Sequence, residues 1–170
     1  MTEIWFDRKF DFDFPVDRFP LVVERLRGTP ARLEELVSSL PPDILSVRVE
    51  ETWSIKENVG HLVDLEPLWS GRIEDFLAGK SSLRPAELTN RLTHEANHNL
   101  SPIQDLLDAF RSARMKMVHR LDRATIQDAA ITALHPRLNQ PMRLIDSAFF
   151  TAEHDDHHLA RITELARKLR

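Results

Sequence analysis

Eight histidines and no cysteine set the chemistry open to this chain. Without a thiol there is no disulfide, no thiolate zinc site, no iron–sulfur cluster and no cysteine nucleophile. The densest run is Glu153-His154-Asp155-Asp156-His157-His158, and helical geometry sorts it. At about 100° per residue, His158 falls on the strip of Thr151, Ile162, Leu165 and Leu169. His154 lies one turn back on the same side. His157 falls with Phe150, Glu164 and Lys168, a mostly polar strip, and is expected to point outward. Two inward imidazoles at i and i+4 can grip one metal ion. Ligation would offset the cost of burying a polar group without a partner.

A third ligand is needed from elsewhere, and His61 in Asn58-Val59-Gly60-His61-Leu62-Val63-Asp64 offers it. It borders the apolar stripe of Leu65, Leu68 and Phe76. The expected metal set is therefore His61, His154 and His158. Three neutral imidazoles leave coordination positions open, as catalytic rather than structural sites do. Asp64 and Asp155 are candidate partners to orient the imidazoles. His94 and His98 also stand four apart, but in the apolar-poor Thr93-His94-Glu95-Ala96-Asn97-His98-Asn99, and read as solvated loop residues. Glu95-Ala96-Asn97-His98 matches the Glu-x-x-His of di-iron bundles, which need two such motifs and two further inward glutamates. Di-iron chemistry is not expected. His119 and His135 carry no partner signal.

Four helical segments must position these residues. The first runs from about Pro15 to Leu40, with Leu26, Leu33, Leu36, Val37 and Leu40 apolar. Gly28-Thr29-Pro30 invites a kink, and Pro41-Pro42 a stop. The second opens on a capping box, Ser54-Ile55-Lys56-Glu57, and ends at Gly79. The third starts at Ser101-Pro102, read as cap and first helical position. The fourth is expected to begin near Pro141 and run to the C-terminus, with Arg161, Arg167, Lys168 and Arg170 suiting its end. Long connections follow helices two and three, the kind that host crossovers or functional segments. Residues 1–14, with Lys9-Phe10-Asp11-Phe12-Asp13-Phe14 alternating apolar and charged, read as an extended arm covering a bundle edge. The expectation is one all-α domain spanning residues 1–170, a four-helix bundle.

Composition narrows the partners. Lys+Arg of 23 against Asp+Glu of 27 gives a formal charge of -4, which disfavours binding to nucleic acid. No apolar stretch approaches a membrane span. The N-terminus lacks the basic-then-apolar order of a secretory signal, so a cytoplasmic protein is expected.

The chain is similar to the DinB/YfiT-like superfamily of metal-binding four-helix bundles. The similarity rests on Arg25–Leu36, on Trp53-Ser54-Ile55-Lys56-Glu57-Asn58-Val59-Gly60-His61-Leu62 and on His154-Asp155-Asp156-His157-His158-Leu159-Ala160-Arg161-Ile162. Its three metal-binding histidines fall on His61, His154 and His158. The resemblance implies an up-down-down-up bundle, a divalent ion such as zinc or nickel, and a homodimer. It implies transfer of a low-molecular-weight thiol to an electrophile, or hydrolysis. Where many relatives carry Gln after the last motif, this chain has Arg161.

The leading expectation is a thiol S-transferase in which a metal-bound thiolate attacks a small electrophilic substrate. With no cysteine, the thiol must be a cosubstrate. The loops at His94–Asn99 and Ala130–Gln140 would shape the pocket. The alternatives are a hydrolase using metal-bound water and a metal-binding bundle without turnover.

Overall fold

The computed structural model describes residues 4–169. Met1–Glu3 of the expected arm and Arg170 of the expected basic end lie outside the described residues. The elements in order are α1 (Phe19–Ser38), α2 (Ile55–Leu77), α3 (Arg91–Glu95), α4 (Ile103–Leu121), α5 (Ile126–Ala129), β1 (Thr132–His135), β2 (Gln140–Arg143) and α6 (Leu144–Leu169). The four long helices are α1, α2, α4 and α6. None of the described helices is long and apolar enough to cross a membrane.

Local chemistry explains the ends of α2. Ser54 accepts from the Glu57 amide at 3.2 Å while Glu57 accepts from the Ser54 amide at 2.8 Å, the reciprocal capping box. At the other end Gly79 takes φ +67°, and the Gly79 and Lys80 amides bond back to Phe76 and Asp75. That left-handed turn suits glycine, which has no Cβ to clash. α1 runs through the Gly28-Thr29-Pro30 step as one helix, and the Thr29 hydroxyl donates to the Arg25 carbonyl. Ser101 does not cap α4. Pro102 takes the cap position with extended backbone, and the helix opens at Ile103.

Packing sets the topology. Two apolar clusters fill the bundle, and each long helix contributes to both. One holds Phe19, Val23 and Leu26 of α1, Trp69, Ile73 and Phe76 of α2, Met117, Val118 and Leu121 of α4, and Leu144, Ile145 and Ala148 of α6. The other holds Leu33 and Val37, Ile55, Val59 and Leu62, Leu106, Leu107 and Phe110, and Ile162 and Leu165. The N-terminal halves of α1 and α6 thus meet the C-terminal halves of α2 and α4. The order is up-down-down-up, with α1 and α2 each packed between α4 and α6.

Between the two clusters every helix turns a polar or small group inward: Thr29, Glu66, Arg114 and Asp155, each at most 2% exposed. The Arg114 guanidinium bonds the Glu66 carboxylate at 2.6 and 2.9 Å and also holds both oxygens of Asp155. One cation therefore ties α2, α4 and α6 at a single level. Burial pushes the Glu66 carboxyl up to about 7 against the pull of Arg114, and the neighbouring Asp155 charge adds to the rise.

The connection after α4 departs from the sequence expectation. Pro141 does not begin a helix: it lies in β2, which pairs antiparallel with β1 in the register Leu134↔Pro141, and α6 begins at Leu144. Proline, lacking an N–H, is at home in a short two-stranded hairpin. The far side of β1 is joined by Leu83 N–H to Leu134 O at 3.0 Å and Leu134 N–H to Ser81 O at 2.9 Å. The arm behaves as its alternation suggests. Phe10, Phe12 and Phe14 face the first apolar cluster while Lys9, Asp11 and Asp13 are exposed. Arg143 pins it by donating to the Phe12 and Phe14 carbonyls while also bonding Asp146.

Removing the central cation should be costly, since it strands two buried carboxylates. Arg114→Leu is expected to lower the unfolding free energy by about 3–5 kcal/mol, measured by urea denaturation. A loss below about 1 kcal/mol would refute the role given to this residue.

Candidate metal centre

Just beside the Arg114 level, α2 and α6 bring three histidines together. The ring centroids of His61, His154 and His158 are 4.6–5.3 Å apart pairwise. One nitrogen from each lies within 4.8 Å of the others, a spacing that could hold one metal ion. All three are buried, and each has helical reasons to be there. His154 and His158 share the inward face of α6, and His61 comes from the first turns of α2.

Hydrogen bonds fix the orientation of two rings. His61 Nδ1 is 3.0 Å from Thr93 Oγ1, and that hydroxyl donates to Asp64 Oδ2 at 2.7 Å. The hydroxyl therefore accepts from His61, which places the proton on Nδ1 and leaves the Nε2 lone pair free. His158 Nδ1 donates to Asn58 Oδ1 at 2.9 Å, and the Asn58 amide is itself held by the Ser54 and Trp53 carbonyls. His154 Nδ1 is buried with no hydrogen-bond partner. Two anchored imidazoles and one unclaimed buried nitrogen suit a bound cation.

Burial also keeps these rings neutral. His61 is pushed down to about 4, chiefly by desolvation, and His154 and His158 fall well below the usual imidazole value for the same reason, with neighbouring imidazoles adding to it. A site already deprotonated at neutral pH need release no protons to take a metal.

The triad opens on a cavity of about 360 Å³. All three tryptophans of the chain stand around it. Trp53 lies 4.7 Å from the His61 ring, Trp69 5.5 Å from His154, and Trp5 of the arm 5.0 Å from His154. The arm is thus part of the cavity wall as well as an edge cover.

Several sequence expectations are corrected here. His157 does not face solvent: it is half-buried, lines the cavity, sits 5.7 Å from the Trp5 ring and is pushed down to about 4 by burial. The arm covers the strip that helical spacing alone leaves open. His98 is buried rather than solvated. Its Nε2 bonds Asp64 Oδ2 at 2.9 Å, and its ring fills the space where a Cβ on Gly60 would sit. His94 is exposed, as expected, with Trp53 beside it. Asp64 reaches His61 through Thr93, but Asp155 pairs with Arg114 and orients no imidazole. Residues His94–Asn99 stay out of the cavity lining, which takes Ala86, Glu87, Leu88 and Asn90 from that connection and His135 and Arg137 from the hairpin. His135, without a sequence signal, is buried against Arg72. Thr93, Asn58, Arg72 and Arg137 carry no sequence signal of a role at the site because the groups they meet there are remote in the chain.

The buried imidazoles give folding a pH dependence of definite sign. In the unfolded chain each binds a proton near 6.5, whereas His61, His157 and His135 do so in the folded state only near 4, 4 and 3. Between those values the unfolded chain holds more protons, so stability falls as pH drops through the interval. Glu66, raised to about 7, works the other way but is one group against several. Metal-free protein is expected to lose unfolding free energy steadily from pH 6.5 to 4.5. A flat or rising profile in urea melts would contradict this.

Comparison with known proteins agrees with the geometry. No curated protein matches the chain significantly by sequence. Among solved structures, YfiT from Bacillus subtilis superposes with a TM-score of 0.82 at 20% identity, covering 95% of this chain and 93% of that one. It is described as a probable metal-dependent hydrolase with an unusual four-helix bundle topology. At that identity the match speaks for the fold. A family profile extends the similarity over residues 25–162, a stretch that includes all three converging histidines, and the chain belongs to the DinB superfamily.

Proposed function

We propose that the chain is a metal-dependent enzyme that transfers a small thiol to an electrophile inside the cavity. The observation that carries this reading is the neutral, buried set of His61, His154 and His158 opening on a cavity wall that offers no thiol of its own. A divalent ion held there, zinc or nickel by ligand type, would supply positive charge that favours the thiolate of a cosubstrate at neutral pH.

The residues divide the work. His61, His154 and His158 would hold the ion, and Thr93, Asp64 and Asn58 keep two of the rings turned toward it. Trp5, Trp53 and Trp69 exclude bulk water from one side and lend the cavity an apolar wall. The carboxylates that line the cavity, Glu51 and Glu87, are both exposed, and Asp64 is occupied by Thr93 and His98. A buried carboxylate base in the cavity lining is therefore missing among the described residues, which suits a nucleophile that ionises easily, and the one neutral base adjoining the triad is the His157 imidazole. Hydrolysis is the second reading, favoured by the description given to YfiT. Water would then take the place of the thiol.

Omission of one reagent separates the two. Metal-loaded protein incubated with a model electrophile such as monochlorobimane is expected to consume it only when a low-molecular-weight thiol is present. Loss of an ester or amide substrate without thiol would favour hydrolysis. Unchanged conversion in His61→Ala would remove the metal from either scheme. Elemental analysis is expected to find metal in wild type and His157→Ala but not in His61→Ala, His154→Ala or His158→Ala. Thr93→Val should weaken metal affinity about 10- to 100-fold, with Thr93→Ser close to wild type. Equal affinity in Thr93→Val would show that the hydroxyl orients nothing.

A further inference from the structure

The cavity wall has a second chemically distinct patch, grouped around Phe150. It carries Arg72 from α2, Trp69 one turn before it, and His135 and Arg137 from the β1–β2 hairpin. Arg72 is 1% exposed. Its Nε donates to the Arg84 carbonyl at 3.2 Å, its Nη1 meets His135 Nε2 at 3.1 Å, and its guanidinium lies 5.4 Å from the Trp69 ring. Arg137 packs over Phe6 and Phe150. Neither arginine has a carboxylate partner among the described residues, whereas the other buried arginine, Arg114, has two. The nearby Asp75 is already taken by Lys80 and Arg84.

The patch is also short of acceptors. Arg137 Nη2 and Trp69 Nε1 are buried without hydrogen-bond partners. His135 receives the Leu138 amide at Nδ1, 3.1 Å away, while its Nε2 faces the Arg72 donor. A neutral imidazole has one lone pair to offer, so it cannot accept both bonds. Unmatched N–H donors are costly to bury, as is a guanidinium without a carboxylate partner, fully for Arg72 and in part for half-buried Arg137. What completes such a set is an acceptor-only group with negative charge.

We propose that this patch is an oxyanion subsite, taking a small molecule whose carboxylate or phosphate accepts from Arg137 and Trp69 beside Arg72. The apolar body of that molecule would lie along Trp5, Phe6 and Phe150 toward the histidines, and the Trp69 ring is within 5.5 Å of both the Arg72 guanidinium and the His154 ring. The inference rests on the reading of the cavity as a substrate site, and it narrows that substrate to an organic acid or phosphate ester with an apolar body.

Calorimetric titration of the full-length protein, both metal-loaded and stripped with chelator, tests it. The probes are phenylacetate, phenyl phosphate and the uncharged phenylacetamide. At least one anion is expected to bind the stripped protein at least tenfold more tightly than the amide, and the tighter of the two identifies the oxyanion. Arg137→Gln should lose at least tenfold in anion affinity, Arg137→Lys less, and neither should alter the amide. His61→Ala should retain anion binding while losing metal, so failure of the metal reading stays separate. The proposal is overturned if neither anion binds, if the amide binds equally, or if natively folded Arg137→Gln matches wild type. It is also overturned if anions bind only the metal-loaded protein, which would place them on the ion.

Discussion

One buried cation organises this bundle. Arg114 reaches from α4 to Glu66 on α2 and Asp155 on α6 at the level where the apolar core divides in two. Apolar contacts are non-directional and would tolerate sliding of one helix along another. A forked guanidinium with two carboxylates is directional. Asp155 follows His154 in sequence, and Glu66 lies five residues beyond His61. Fixing the two acids therefore fixes the axial level of the helices that carry the imidazoles.

From that level outward, each polar group is matched to the next. Thr93 and Asp64 turn His61, Asn58 turns His158, and the capping box at Ser54 holds the start of the helix that carries Asn58, His61 and Asp64. Ser54 Oγ further bonds Asn99 at 2.6 Å, joining the cap to the connection that delivers Thr93 and His98. Gly60 permits this, because any side chain there would displace His98. The long connection after α2 therefore supports the imidazoles with one stretch and lines the cavity with another.

The other long connection and the arm supply what the helices lack. The hairpin brings His135 and Arg137 to the cavity, and the arm brings Trp5 and Phe6. Both are tied at the start of α6, where Arg143 bonds Asp146 and the arm carbonyls. The cavity thus has one wall of imidazole and another of arginine and indole, with aromatic rings between them.

Short-range rules made much of this legible. The capping box, Gly79 at the end of α2, the alternating arm and the inward pairing of His154 with His158 follow from spacing alone, because each depends on neighbours within a few residues. His61 joined them from its place beside the apolar stripe of the second helix, and the resemblance carried by Trp53–Leu62 and His154–Ile162 fell on the same three residues and gave the helix order. Tertiary structure decided the rest. The hairpin around Pro141, the burial of His98, the covering of His157 by Trp5 and the uncompensated Arg72 and Arg137 all depend on groups tens of residues away. A side chain's period shows which face it occupies, but its charge state and partner depend on what the folded chain packs against that face.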